Sequence, residues 1–170
     1  MSFSLSEIKE GLSTTFIGKE ILFLQEAVST NDVALNLDKE KAVEGSVVMA
    51  DAQKEGRGQF GRPWISPAGV NIYLSIILKP VINPLNVPQI GLLSAIAVAR
   101  AINKLTNLQA VIKWPNDILI NDKKTAGLLT EVKIKNETVK LIVVGIGVNV
   151  NMDESSFPSN ICSTATSLMI

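Results

Sequence analysis

Ile118-Leu119-Ile120-Asn121-Asp122-Lys123-Lys124-Thr125-Ala126-Gly127-Leu128-Leu129-Thr130-Glu131-Val132-Lys133-Ile134-Lys135-Asn136-Glu137-Thr138-Val139 sets two polar turns between apolar runs. Residues 118–120 and 127–134 flank Asn121-Asp122-Lys123-Lys124, which has the composition of a hairpin turn. Lys135-Asn136-Glu137 forms a second turn, and residues 138–150 read as a third, longer strand. Consecutive hairpins predict an antiparallel or mixed sheet.

The flanking sequence supplies the helices. Residues 88–106 place Ile90, Leu93, Ile96, Ala97 and Ile102 at helical spacing, with Pro88 suited to the first turn. Residues 109–113, 71–78 and 46–50 read as strands, and Ile21-Leu22-Phe23-Leu24 as a buried one. Ser29-Thr30-Asn31-Asp32 offers N-cap residues for a helix to about Ala42, with Val33, Leu35 and Leu37 as its apolar positions. Residues 4–13 read as a short amphipathic helix, capped by Ser4 or Ser6 and stopped by Gly11. Residues 153–159 read as a loop, and 165–170 fit no single element. One long and one shorter helix against such a sheet make the class α+β, as one domain over residues 1–170.

Composition narrows the function classes. The 170 residues suffice for a real core, and 46% hydrophobic with 19% charged residues is globular, not disordered. A formal net charge of +0 argues against a general polyanion surface, so nucleic acid is not an expected partner. The apolar runs are too short to span a membrane, and the N-terminus lacks a basic-then-apolar signal pattern. The lone Cys162 fits a reducing cytoplasm. With no histidine and one cysteine, zinc is disfavoured and Ser-His or Cys-His nucleophilic catalysis is excluded. Any metal is expected to be a hard cation such as Mg²⁺, held by carboxylate and substrate phosphate.

Four segments carry candidate chemistry. Gln53-Lys54-Glu55-Gly56-Arg57-Gly58-Gln59-Phe60-Gly61-Arg62-Pro63-Trp64 combines three glycines, two arginines and a terminal tryptophan. It reads as a flexible cover for an anionic small molecule, since guanidinium forks suit carboxylate or phosphate. The glycines also spell G-x-G-x-x-G, but Pro63 and Pro67 oppose the helix that a dinucleotide fingerprint needs. A kinase glycine loop would want a downstream His-Arg-Asp, and the chain has no histidine, which disfavours that reading. The competing reading is a surface loop without a ligand.

Lys113-Trp114-Pro115-Asn116-Asp117 ends a strand. Pro115 stiffens it and packing of Trp114 would fix it, presenting Lys113, Asn116 and Asp117 to a ligand. The alternative is a polar turn in which Asp117 satisfies local amides. Lys124 begins the next strand three residues before Gly127, and lies either beside a ligand or at a solvated hairpin tip. Gly145 and Gly147 within an apolar strand imply that something approaches its face closely, or else a bulge; Asn149 could bond a ligand hydroxyl or phosphate. Ser29-Thr30-Asn31 could act only as a helix cap, or its amides could also hold polar ligand groups.

Taken in order, Ser-Thr-Asn, Gln-x-x-Gly-Arg-Gly-x-x-Gly-Arg-x-Trp, Lys-Trp-Pro-Asn-Asp, Lys-x-x-Gly-Leu-Leu-x-Glu and Gly-x-Gly-x-Asn resemble the catalytic domain of biotin protein ligases, over residues 18–168. The resemblance implies a biotin/lipoate ligase-like fold, akin to class II aminoacyl-tRNA synthetases. It implies that biotin and ATP, with Mg²⁺, give biotinyl-5′-AMP. The acyl group then passes to a lysine on the biotin carboxyl carrier domain of acetyl-CoA carboxylase or a related carboxylase. Carried over residue by residue, the catalytic groups are Lys124, Arg57 and Lys113. The biotin contacts are Ser29, Thr30, Asn31, Gln53, Gly56, Arg57, Gly58, Gln59, Trp64, Lys124, Gly127, Leu128 and Gly147. The nucleotide contacts are Arg57, Arg62, Trp64, Lys113, Asn116, Asp117, Lys124 and Asn149, with Asp117 also the Mg²⁺ ligand. A cytoplasmic homodimer of the class without an N-terminal DNA-binding domain is the corresponding expectation.

Two departures stand out. Gln59 occupies a position where the family usually has arginine, and the chain stops at Ile170, short of the family's small C-terminal β-barrel. These motivate the alternatives of a non-catalytic biotin or biotinyl-AMP binding module, or a truncated ligase. A lipoate-type ligase is the alternative within the same fold.

Overall fold

The computed structural model describes residues 5–37 and 42–169. The Ser4 cap, the helical continuation over residues 38–41 and residue 170 lie outside the described residues. Strands β1 (Ile21–Ala27), β2 (Val47–Gln53), β3 (Ile72–Leu78), β4 (Val111–Lys113), β5 (Asp117–Ile120), β6 (Lys123–Lys135) and β7 (Thr138–Val148) form one sheet in the order β1-β2-β3-β7-β6-β5-β4. Only β1 and β2 run parallel, so the mixed α+β sheet expected from the hairpins is present. Helices α1 (Leu5–Glu10), α2 (Thr30–Asn36) and α3 (Val87–Leu105) complete it.

The hairpins are tighter than composition suggested. Asn121 and Asp122 have φ of 49° and 61°, and Asn136 and Glu137 have φ of 50° and 57°. Two consecutive left-handed residues make the two-residue turn whose twist matches the strands, and Asn and Asp tolerate that conformation. Lys123 and Lys124 are therefore already strand residues, not turn residues.

β7 lies at the centre and is covered on both faces. Ile142 and Val144 join α3 residues Ala95, Ala99 and Ile102 in one core, while Leu141 and Val143 join Ala34 of α2 in another. Alternation along the strand sends Gly145 and Gly147 to the α2 face. That face holds the cavity.

Several expectations are corrected. Ile21-Leu22-Phe23-Leu24 is not a buried strand but part of the strand that ends the sheet, with half-exposed and exposed positions and β2 as its neighbour among the described strands. Helix α2 stops at Asn36, where Leu37 turns to ψ 142°; its fully buried residues are Thr30, Asn31 and Ala34, and Val33, Leu35 and Leu37 only flank the core. Residues Pro84–Leu105 have a mean hydropathy of 1.5 and the length to cross a membrane, which reading short apolar runs missed. In this fold the helix lies over β4–β7, with Arg100 and Lys104 exposed on its outer side.

Candidate active site

The loop between β2 and β3 folds into a small hairpin of its own. Arg57 bridges Pro63, Gly58 N–H donates to Arg62 O at 2.7 Å, and Trp64 N–H donates to Gly56 O at 2.7 Å. Phe60 at its exposed tip lies 6.0 Å from the Arg62 guanidinium. Gly56 serves the base of this hairpin: a Cβ there would come within 2.5 Å of Trp64 O and 2.6 Å of Ser66 Oγ. It packs there and is not among the residues that border the cavity.

The chain then folds Trp64 back onto the sheet. Gly127 and Gly147 are register partners across β6 and β7 and clear a flat floor. The indole lies on it, with its edge 2.5 Å from where a Gly147 Cβ would stand. Gly145 makes room for Asn31, whose Oδ1 lies 2.3 Å from a hypothetical Cβ. Both strand glycines are thus explained by close approach, and the only register shift between β6 and β7 falls elsewhere, between Lys133 and Ile134. Trp64 Nε1 is buried and has no hydrogen-bond partner.

Lys124 owes its place to a bulge. Ile118 pairs Ala126 and Leu119 pairs Lys124, leaving Thr125 without a partner on β5. The re-aimed backbone of Lys124 donates to Thr164 O at 2.7 Å and accepts from Thr166 N–H at 2.9 Å. Its ammonium lies 2.6 Å from Asp117 Oδ1 and 5.3 Å from the Trp64 ring centre. The solvated hairpin tip is thereby set aside for Lys124.

These groups surround a cavity of about 580 Å³. Ser29, Thr30, Asn31, Gln53, Arg57, Gly58, Gln59, Arg62, Trp64, Lys113, Asn116, Asp117, Lys124, Gly127, Leu128, Gly147 and Asn149 all border it. Several are already engaged. Arg57 pairs with Asp32 and, at 3.5 Å, with Glu131 Oε2. Asn116 Nδ2 donates to Leu128 O at 2.7 Å, and Asn149 Nδ2 to Thr166 O at 3.1 Å, so each amide nitrogen braces the scaffold. Leu128 borders the cavity, but its side chain packs in the core under α3, on the face opposite Gly127. Trp114 is 78% exposed, so packing of its ring does not fix the Lys113–Asp117 segment. The Asn116 bonds to β6, with Leu128 N–H donating back to Asn116 O at 3.0 Å, do so instead. Ser29 is the N-cap residue of α2 yet makes no side-chain cap bond.

Sequence reasoning missed Ser75 and the stretch around Phe157, Ile161, Thr164 and Ala165, which closes one side of the cavity, and it gave Asp32 only a capping role and Glu131 only a place in a motif. A lone hydroxyl in Ile72-Tyr73-Leu74-Ser75-Ile76-Ile77-Leu78 was a usable signal, because a buried hydroxyl needs partners. The Phe157 stretch offered none.

Comparison with known proteins identifies the family. The model of the biotin/lipoate A/B protein ligase family matches residues 24–149. The bifunctional ligase/repressor BirA of Bacillus spizizenii is 43% identical over 165 residues, covering 97% of this chain and 51% of that protein. A biotin–[acetyl-CoA-carboxylase] ligase of Paracoccus denitrificans is 40% identical over 124 residues, covering 71% of this chain and 50% of that protein. The solved biotin protein ligase of Aquifex aeolicus in complex with biotin and ATP superposes with TM-score 0.72 at 33% identity, covering 89% of this chain and 60% of the other. The chain thus spans about half the length of the curated relatives it matches.

Proposed function

The chain belongs to the biotin/lipoate A/B protein ligase family, and from that premise we propose that its cavity joins biotin to ATP and passes the acyl group to a biotin carboxyl carrier domain. First, a biotin carboxylate oxygen attacks the α-phosphorus; the bond to pyrophosphate breaks and biotinyl-5′-AMP remains. Second, the acceptor lysine amine attacks the acyl carbon. AMP departs with the bonding electron pair and the amine loses a proton as the amide forms.

The observation that carries this reading is the convergence of Lys124, Lys113, Arg57 and Arg62 around one cavity whose floor is cleared by paired glycines. Carboxylate and triphosphate crowd negative charge together, and pre-placed cations stabilise the further charge of the transition state. Lys124 exchanges its Asp117 partner for the carboxylate and α-phosphate. Arg57 exchanges Asp32 and Glu131 for the ligand anion as the loop closes over an anhydride that water would otherwise hydrolyse. Gln53, Ser29 and Thr30 meet the biotin ring. Asn149 and the Lys113–Asp117 segment serve the nucleotide.

Among the described residues no group of three or more His, Cys, Asp or Glu side chains could hold a metal. Asp117, whose carboxylate borders the cavity beside Lys124, would be the one protein carboxylate on an Mg²⁺ that arrives with the triphosphate and keeps most of its waters. The neutral net charge and lone cysteine support a cytoplasmic enzyme acting on a protein acceptor instead of nucleic acid or membrane. A homodimer, the state the resemblance implies, completes this reading.

Intact-mass analysis of a carboxyl carrier domain tests the second step. We expect one biotinyl mass increment that requires chain, biotin and ATP together. An acceptor left unmodified while biotinyl-5′-AMP accumulates contradicts acyl transfer.

A further inference from the structure

Beneath the cavity runs a buried polar chain whose proton directions can be worked out. Asn31 Nδ2 donates to Leu129 O at 3.2 Å and to Glu131 Oε2 at 2.7 Å. A main-chain carbonyl only accepts, so the orientation of this amide is fixed. Asn31 Oδ1 therefore faces Ser75 Oγ at 2.6 Å, and Ser75 must donate. A hydroxyl has one proton. At its 2.8 Å contact with Thr30 Oγ1, Ser75 consequently accepts and Thr30 donates.

The proton of Thr30 is thus spent inside the floor. Gln53 Oε1, 3.2 Å from Thr30 Oγ1, is held instead by Thr30 N–H at 2.8 Å. Gln53 Nε2 donates to Ser66 Oγ at 2.9 Å, and Ser66 donates onward to Trp64 O at 2.9 Å. Ser75 is 0% exposed, Asn31 3% and Thr30 4%, so no bulk water scrambles these directions. Thr30 still borders the cavity, and what it has left to offer there is lone pairs.

We propose that Ser75 and Asn31 are positioning residues that make Thr30 an obligate acceptor, so that the pocket floor selects a ring bringing N–H donors. Biotin's cyclic urea brings two N–H groups; the dithiolane of lipoate brings none. A polar floor left unpaired by the wrong ring is a strong source of discrimination. The proposal rests on the biotin reading above and adds the origin of ring selectivity. It also reassigns Asn31 from ligand contact to support.

The test is calorimetric titration of the whole chain with biotin and, separately, with Mg-ATP. Ser75→Ala frees the Thr30 proton to turn elsewhere. We expect biotin affinity to fall about tenfold and ATP affinity to stay unchanged. In a Thr30→Val background, Ser75→Ala should cost nothing further, because Ser75 acts through Thr30. Equal losses for biotin and ATP, or additive losses, would overturn the proposal and leave the biotin reading intact. A second arm needs no variant: on the wild-type chain, biotin methylated at its ring nitrogens, and lipoate, should fail to compete with biotin. Competition by either at equal strength overturns the selectivity, and lipoate binding without biotin binding overturns the biotin reading with it.

Discussion

Trp64 holds a buried indole N–H that no acceptor meets. An unsatisfied buried donor costs about 1–3 kcal/mol, and the ring compensates by covering Gly127 and Gly147. Trp64→Phe keeps most of that cover and removes the orphan. We expect it to melt at or above the wild-type temperature without ligand, and Trp64→Ala to melt lower; a clear drop for Trp64→Phe would contradict this. Gln59 raises a separate issue at the cavity wall. A neutral amide bonds an anion about half as strongly as a guanidinium does. Gln59→Arg should therefore slow the escape of biotinyl-5′-AMP in single-turnover reactions without acceptor, and equal release rates would refute the expectation.

Elements position these residues more tightly than any local motif does. The β7 glycines exist for side chains from elsewhere: Asn31 from α2 at Gly145, and Trp64 from the loop at Gly147. Gly147→Ala should push the indole off its floor. Because Trp114 is exposed, a Trp114→Phe background leaves Trp64 as the only tryptophan; the alanine variant should shift the indole emission to the red, and an unchanged spectrum would contradict the packing. The hairpins around Lys124 were legible because Asn-Asp and Asn-Glu dipeptides accept left-handed turns between apolar runs. The bulge at Thr125 was not, since it depends on how β5 and the 164–166 segment pair with β6. Periodicity likewise could not tell that β1 lies at an edge. An apolar run reports that burial is possible, not which neighbours supply it.

At the scale of the molecule, the cavity draws on loop, helix, hairpin and C-terminal segment, which only the mixed sheet brings together. Family motifs made most of these residues legible, because the same chemistry demands the same residue types in the same order. The supports were less legible: Ser75 was not picked out, and Asp32 and Glu131 figured only as a cap residue and a motif position, because all three act on other protein groups and carry no ligand signature. Global stability has its own reporter. Tyr73, the only tyrosine, is buried and donates its hydroxyl to Pro67 O at 3.0 Å; burial raises its pKa well above the ordinary 10.0. Its stabilising contribution is full below about pH 10 and is lost as pH rises toward the folded-state value, because the unfolded chain ionises first. Phenolate absorbance should therefore appear together with unfolding, and titration of a still-folded chain near pH 10 would contradict the burial.

The adenylation step is the test on which the functional reading stands. We would measure biotin-dependent ATP–pyrophosphate exchange with Mg²⁺ for the wild-type chain and for Lys124→Ala. Exchange that requires biotin and falls about a hundredfold or more in the variant is the expected result. No exchange by a wild-type chain that still binds biotin would contradict it and favour a binding module without catalysis.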